Sequence, residues 1–288
     1  MMVTNGQPTS YSTSSHPLAA GATWDECLEY CYNLGTCIVV FDNNCQMFEI
    51  GQITTATKTE GLVIAFKVLA TDTCPVEDTG TFQGYYATNS TYRSYNVSYN
   101  APIWTFQAGR FVSCPYTWFT LFVREKGPWC MKVFQHSTCC DRKMADLMCE
   151  TVYLATHVSG VENQEEYDFI AAALIPIFQN ISGGPVGGIK YTSTGVWVNG
   201  DRTSACTGVS SAPCNSITGF QFSDPTLSAN TQGYNWLSAQ PDMIPAPANG
   251  IIFRMNGAAV YGMDDTDLMQ PTSGSACWKG YVCGIKPS

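Results

Sequence analysis

Cysteine is the residue type most able to do chemistry in this chain: there are 14 among 288 residues, against 3 histidines. His16, His136 and His157 have no metal-protease spacing, and neither a Gly-x-Ser-x-Gly elbow nor a phosphate-binding loop occurs. The adjacent carboxylates Asp264 and Asp265 would point to opposite faces of a strand, so they cannot flank one bond. With no workable constellation, the chain does not read as an enzyme. An even number of thiols this large can close completely in an oxidising compartment and is a hazard in a reducing one, so the cysteines read as disulfides. Nothing in the spacing of Cys27, Cys31, Cys37 and Cys45 supports zinc. Two clusters of oxygen donors remain. On the plainest reading Gln240-Pro241-Asp242 is a proline-shaped turn, and Asp264, Asp265 and Asp267 are a solvated acidic turn.

Composition narrows the partners. Lys+Arg 14 against Asp+Glu 23 gives a net charge of -9, which disfavours nucleic acid and anionic membrane surfaces. The longest apolar run, Phe169 to Phe178, contains Pro176 and falls well short of the roughly 20 residues a membrane span needs. Charged residues are 13% of the chain, about half the usual share, which suits a loop-rich extracellular protein. Met1 to Gly6 has neither a basic nor an apolar leader region. The expectation of secretion therefore rests on the cysteines and takes the start as truncated or wrongly chosen, with a cytosolic protein as the alternative.

The elements that must position these residues fall into two domains, an α+β arrangement. Thr23 and Glu26 form a capping-box pattern opening a helix that runs to Gly35 and carries Cys27 and Cys31 on one face. A strand from Cys37 to Phe41, a turn at Asp42-Asn43-Asn44, a strand from Cys45 to Ile50 and another from Leu62 to Val68 follow. Two adjacent strands can each meet one helical cysteine, so Cys27 is expected with Cys45 and Cys31 with Cys37, although other pairings are possible. This domain is assigned to 1–70. Over 71–109 Thr, Asn, Ser and Tyr dominate, and the segment reads as a connector with a short strand leading onward. Sequons place N-glycosylation at Asn89, Asn96 and Asn180. The second domain, 110–288, has a helix capped by Asp141 with Met144, Leu147 and Met148 on its apolar face. A second helix, capped by Asn163 with Glu166, ends at Pro176. Gly188 to Asn199 then reads as a strand, Asn199-Gly200 as a turn, and the rest as strand and irregular loop. Cys206 and Cys214 are near enough to close a local loop.

Eight motifs in order carry a resemblance. Cys114-Pro115-Tyr116-Thr117-Trp118, Gly127-Pro128-Trp129-Cys130, the helix ending at Cys149 and Val161 to Glu166 come first. Gly195-Val196-Trp197, Trp236 to Asp242, Met263-Asp264-Asp265 and Tyr281-Val282-Cys283-Gly284 complete the set. Together they resemble a C-type lectin-like domain, and the N-terminal segment is similar to a PAN/apple-like (PAN-3) domain of the kind found ahead of such domains in nematode proteins. The resemblance implies a fold of two helices, antiparallel sheets and a long irregular loop. It implies disulfides Cys114–Cys130 and Cys149–Cys283, and it places the family's remaining cysteine pair at Gly250 and Leu268, both lost. Cys277 is expected with Cys139 or Cys140, and Cys74 stays unassigned. Trp197 and Trp236 are expected as core anchors.

What the resemblance implies for function is recognition of a glycan through calcium, with a role in innate defence. Gln240, Asp242, Asp264 and Asp265 are the expected calcium and carbohydrate ligands, with a cis Gln240–Pro241 bond. The Gln/Asp pairing implies galactose-like hydroxyl geometry. The position of a further carboxylate ligand falls at Ala248, and the loop 243–247 has no aromatic on which a sugar would stack. The alternative is a metal-free protein-interaction module on the same scaffold.

Overall fold

In the computed structural model, which describes residues 1–69, 81–152, 157–182, 188–244, 246–257 and 259–288, the chain forms two units, Met1–Ser113 and Cys114–Ser288. The first contains β1 (Met2–Asn5), β2 (Gln7–Tyr11), α1 (Trp24–Asn33), β3 (Cys37–Phe41), β4 (Gln46–Glu49), β5 (Ile53–Thr57) and β6 (Val63–Phe66). Then come β7 (Thr81–Ala87), β8 (Thr91–Asn100) and β9 (Ile103–Ser113). Thr23 caps α1 reciprocally: its hydroxyl accepts the Glu26 amide at 3.3 Å and its amide donates to the Glu26 carboxylate at 2.8 Å. One turn apart on α1, Cys27 and Cys31 face β3 and bond Cys45 and Cys37.

Two antiparallel sheets, in orders β1-β6-β3-β4 and β2-β5-β9-β8-β7, share an aromatic core. Phe66 lies 5.1 Å from Trp104 and 5.7 Å from Phe106, ring to ring. The 71–109 connector is corrected here. Residues 81–113 are three long strands of this unit, with Tyr95, Val97, Trp104 and Phe106 buried and Thr105, Asn96 and Gln107 between them exposed. One buried face alternating with a Thr- and Asn-rich outer face reads as polar overall, which hides a strand inside an apparent linker. Cys74 lies outside the described residues.

The second unit contains β10 (Thr120–Arg124), β11 (Gly127–Gln135), α2 (Arg142–Leu147), β12 (His157–Val158), α3 (Gln164–Ser182) and β13 (Ser193–Arg202). After them come β14 (Phe220–Gln221), β15 (Gly250–Gly257), β16 (Val260–Thr266), β17 (Thr272–Ser273) and β18 (Ala276–Ile285). The sheet runs β10-β11-β18-β13-β15-β16, antiparallel except for the β13–β18 pair. Ile170, Leu174 and Ile177 of α3 pack onto it against Val196, Ile251 and Phe253. Cys114–Cys130, Cys139–Cys277, Cys149–Cys283 and Cys206–Cys214 cross-link this unit. Cys140 is a free, buried thiol, which burial pushes up to about 12.

Three local expectations change. Helix α3 continues through Pro176 to Ser182 because Ile177 and Ile181 are buried, while Pro176 and Ala172, whose carbonyl loses its helical donor, are exposed. On α2 the buried side is Arg142 and Ala145, continued by Cys149 in the turn that follows, and Met144 and Leu147 are exposed. Arg142 turns inward because it donates to the Val198 carbonyl at 3.2 Å and pairs with Asp146 and Asp201. Asn199-Gly200 is a bulge within β13, not a turn: Gly200 has φ 138°, and the Asn199 side-chain amide donates a hydrogen bond to the Ser223 hydroxyl at 2.7 Å. Among the described residues no helix is long and apolar enough to cross a membrane.

Candidate functional site

Between β13 and β15 lies the long irregular segment 203–249, among whose described residues only β14 and a 3-10 turn at Ile217–Gly219 are regular. Its stem is fixed by Arg124, whose guanidinium donates to Glu166 at 2.6 Å, Asp224 at 2.9 Å and the Gly160 carbonyl at 3.0 Å, all fully buried. Burial pushes the Asp224 carboxyl up, but Arg124 and the amides of Gly160 and Thr226 outweigh it and hold the group below its usual range. For Glu166 burial wins over Arg124 and the carboxyl is raised.

A cleft of about 360 Å³ opens within this segment. One wall is the end of the Cys206–Cys214 loop, with Asn215 and Ser216; the other is Trp236 with Gln240 and Pro241, and Gln232 and Asn235 line it as well. The Gln240–Pro241 bond is cis. Trp236 is half-buried and packs its ring 5.6 Å from Phe220, whereas Trp197 is fully buried and donates its indole N–H to the Cys140 carbonyl at 2.8 Å. Of the two expected core anchors, then, Trp236 also reaches a surface cleft. Gln240 Oε1 accepts the Asp242 amide at 3.1 Å, and Asn215 Oδ1 is a buried acceptor with no partner.

The expected ligand residues are neighbours, but their oxygens are engaged within the protein. Asp265 is fully buried: one carboxylate oxygen accepts the Asp242 amide at 2.9 Å, and the other accepts the Met243 amide at 2.9 Å and the Arg202 guanidinium at 2.5 Å. Asp264 pairs with Arg254 at 2.6 Å, leaving its Oδ1 buried and unpartnered, and burial followed by the nearby Asp265 and Asp242 charges keeps its carboxyl raised despite Arg254. Asp242 Oδ1 caps the Ile244 amide at 2.9 Å. At Ala248 the carbonyl accepts Arg202 Nε at 2.6 Å. Calcium takes about six to eight oxygens. Gln240, Asp242, Asp264 and Asp265 offer one buried orphan carboxylate oxygen, on Asp264, and the second oxygen of half-buried Asp242, beside two guanidiniums; among the described residues no group of three or more His, Cys, Asp or Glu side chains could hold a metal. As arranged here, these four side chains do not present a calcium donor set.

Sequence reasoning missed Arg202. Its one visible signal is an arginine closing a strand whose residues 193–200 carry no charge. The lost cysteine positions do meet: a Cβ on Gly250 would lie 2.3 Å from Leu268 Cδ2, so the leucine fills the place of the cross-link.

Residues 1–68 match the family model of the PAN-like domain, and residues 122–248 match that of C-type lectin domain-containing protein 141/158. A PAN-like domain therefore precedes a C-type lectin-like domain in this chain, and domains of both kinds are typically non-catalytic binding modules. No curated protein matches the chain.

Proposed function

We propose that this chain is an exported recognition protein whose lectin-like domain binds a glycan in the cleft beside Trp236 without calcium. The observation that carries this reading is the lining: amides of Asn215, Gln232, Asn235 and Gln240, the Ser216 hydroxyl, and one half-buried indole, gathered in a concave site. Amides and hydroxyls match the alternating donors and acceptors of a polyhydroxylated ligand, and an indole supplies the apolar face that sugar rings stack on. The galactose preference was tied to coordination by calcium and does not carry over. Export agrees with six disulfides, and the sequon residues Asn89, Asn96 and Asn180 are exposed, as glycosylation requires.

The test is a glycan array with the full chain, followed by calorimetry on the best hit. Binding is expected to be the same in chelator and in millimolar calcium, and to weaken at least about tenfold in Trp236→Ala, the order of magnitude of one lost ring contact. An array with no hits, or binding that needs calcium, would overturn the reading.

A further inference from the structure

Of the four residues expected to converge on calcium, Asp265 meets a guanidinium instead, that of Arg202, which also holds two carbonyls. Arg202, at the end of β13, is buried and uses three different nitrogens on three different segments. Nη2 reaches Asp265 at 2.5 Å, Nε the Ala248 carbonyl at 2.6 Å, and Nη1 the Cys214 carbonyl at 2.6 Å. Its plane lies over the Phe220 ring at 4.7 Å, and Phe220 in turn packs on Trp236. Asp265 passes the contact on, holding the amides of Asp242 and Met243 on the far side of Pro241.

We infer that Arg202 is a built-in cation that does the positioning work of a calcium ion: it ties the Cys206–Cys214 loop to the proline loop and so fixes both walls of the cleft. The chemistry suits the task. A guanidinium presents its five N–H groups in a rigid planar fork and stays charged at any physiological pH, so it can satisfy a carboxylate and two carbonyls at once. A divalent ion must be captured from solution, whereas this cation is covalently present whenever the strand is folded. The wall geometry should then be indifferent to calcium and to chelators. The cross-link between the walls follows from the contacts alone; its consequence for a ligand rests on the glycan reading above.

Amide hydrogen exchange on the full chain tests the cross-link with no ligand present. In the unsubstituted protein, protection at Asp242, Met243 and residues 214–216 is expected to be the same in EGTA and in millimolar calcium. In Arg202→Lys, a compact ammonium cannot reach three segments in the same directions, so exchange should rise at least about tenfold on both walls. Asp265→Asn should release Asp242 and Met243 while leaving residues 214–216 protected, because the Cys214 contact runs from Arg202 directly. Amides of the β13–β15 ladder report whether each variant is folded, and Arg202→Lys, which keeps the charge, is the variant least prone to unfold. Wall protection unchanged in Arg202→Lys would overturn the proposal, as would wall protection in the unsubstituted protein that rises on adding calcium. An empty glycan array would strike the ligand reading and not this one, since exchange is read without a glycan.

Discussion

The two units bury different things. Met1–Ser113 closes over rings and branched aliphatics, Phe66, Trp104, Phe106, Val39 and Ile64, between two regular sheets. Cys114–Ser288 has a core of the same kind and adds the buried guanidiniums of Arg124 and Arg202. The backbone explains the contrast. Paired strands satisfy their own N–H and C=O groups, but segment 203–249 has few ladder partners, and buried carbonyls must find a donor elsewhere. Arginine supplies it at Cys214 and Ala248, as it does at Gly160 outside the segment. Buried ion pairs contribute little net stability compared with apolar packing of the same volume, but losing one partner is costly. The second unit has thus accepted brittle contacts in return for holding an irregular loop in one shape.

The largest effect should come from the staples. Cys149–Cys283 closes a separation of 134 residues and Cys31–Cys37 one of 6, and in the chain-entropy model these correspond to about 5 and about 2 kcal/mol. Urea denaturation of the two double-alanine variants checks the order; a costlier loss in the first unit would break the contrast. Next comes Arg124→Met, which leaves Glu166 and Asp224 buried without their cation and should cost about 3–5 kcal/mol. Hydrogen exchange should report the loss in β13 and β15 and none in β3 and β6. A stable variant would show that the buried charges are dispensable.

A smaller cost, near the lower end of about 1–3 kcal/mol, is expected for Gly250→Ala, whose new methyl meets Leu268 and lies 3.2 Å from Trp197. Adding Leu268→Ala should relieve it, and thermal unfolding of both variants decides. Smallest is a pH effect confined to the first unit. Burial lowers the Lys67 ammonium from 10.5 to about 8, where it donates to the Leu34 carbonyl at 2.7 Å. Between those two values the folded form binds fewer protons than the unfolded chain, so stability rises as pH rises through that window. The gain is modest because the group is only half-buried. An NMR titration of the Lys67 side chain with a midpoint near 10.5 would refute it.

Much of this was legible in the residues. The Thr23 and Glu26 cap, the cysteines of α1 and their neighbouring strands, and the caps at Asp141 and Asn163 are local patterns, each set by contacts within a few positions. The motif at Gln240-Pro241-Asp242 marked the right region of the chain. Strands β7 to β9 were not legible as part of the first unit, since their apolar alternation is diluted by Thr, Ser and Asn, and the PAN-like match itself stops at 68. Neither was the direction of α2, where Arg142 turns inward while Met144 and Leu147 face out.

Sequence by itself determined where helices start, which cysteines lie near enough to share an element, and a net acidity that disfavours polyanionic partners, because caps, periodicity and net charge act over one or two turns or over the whole chain at once. Only the tertiary structure decided what Asp265 holds. Its partner Arg202 is 63 positions away and is chosen by which buried carbonyls the folded loop leaves without donors. A carboxylate near a proline turn reads the same whether a metal or a guanidinium faces it, and that choice is made by long-range packing alone.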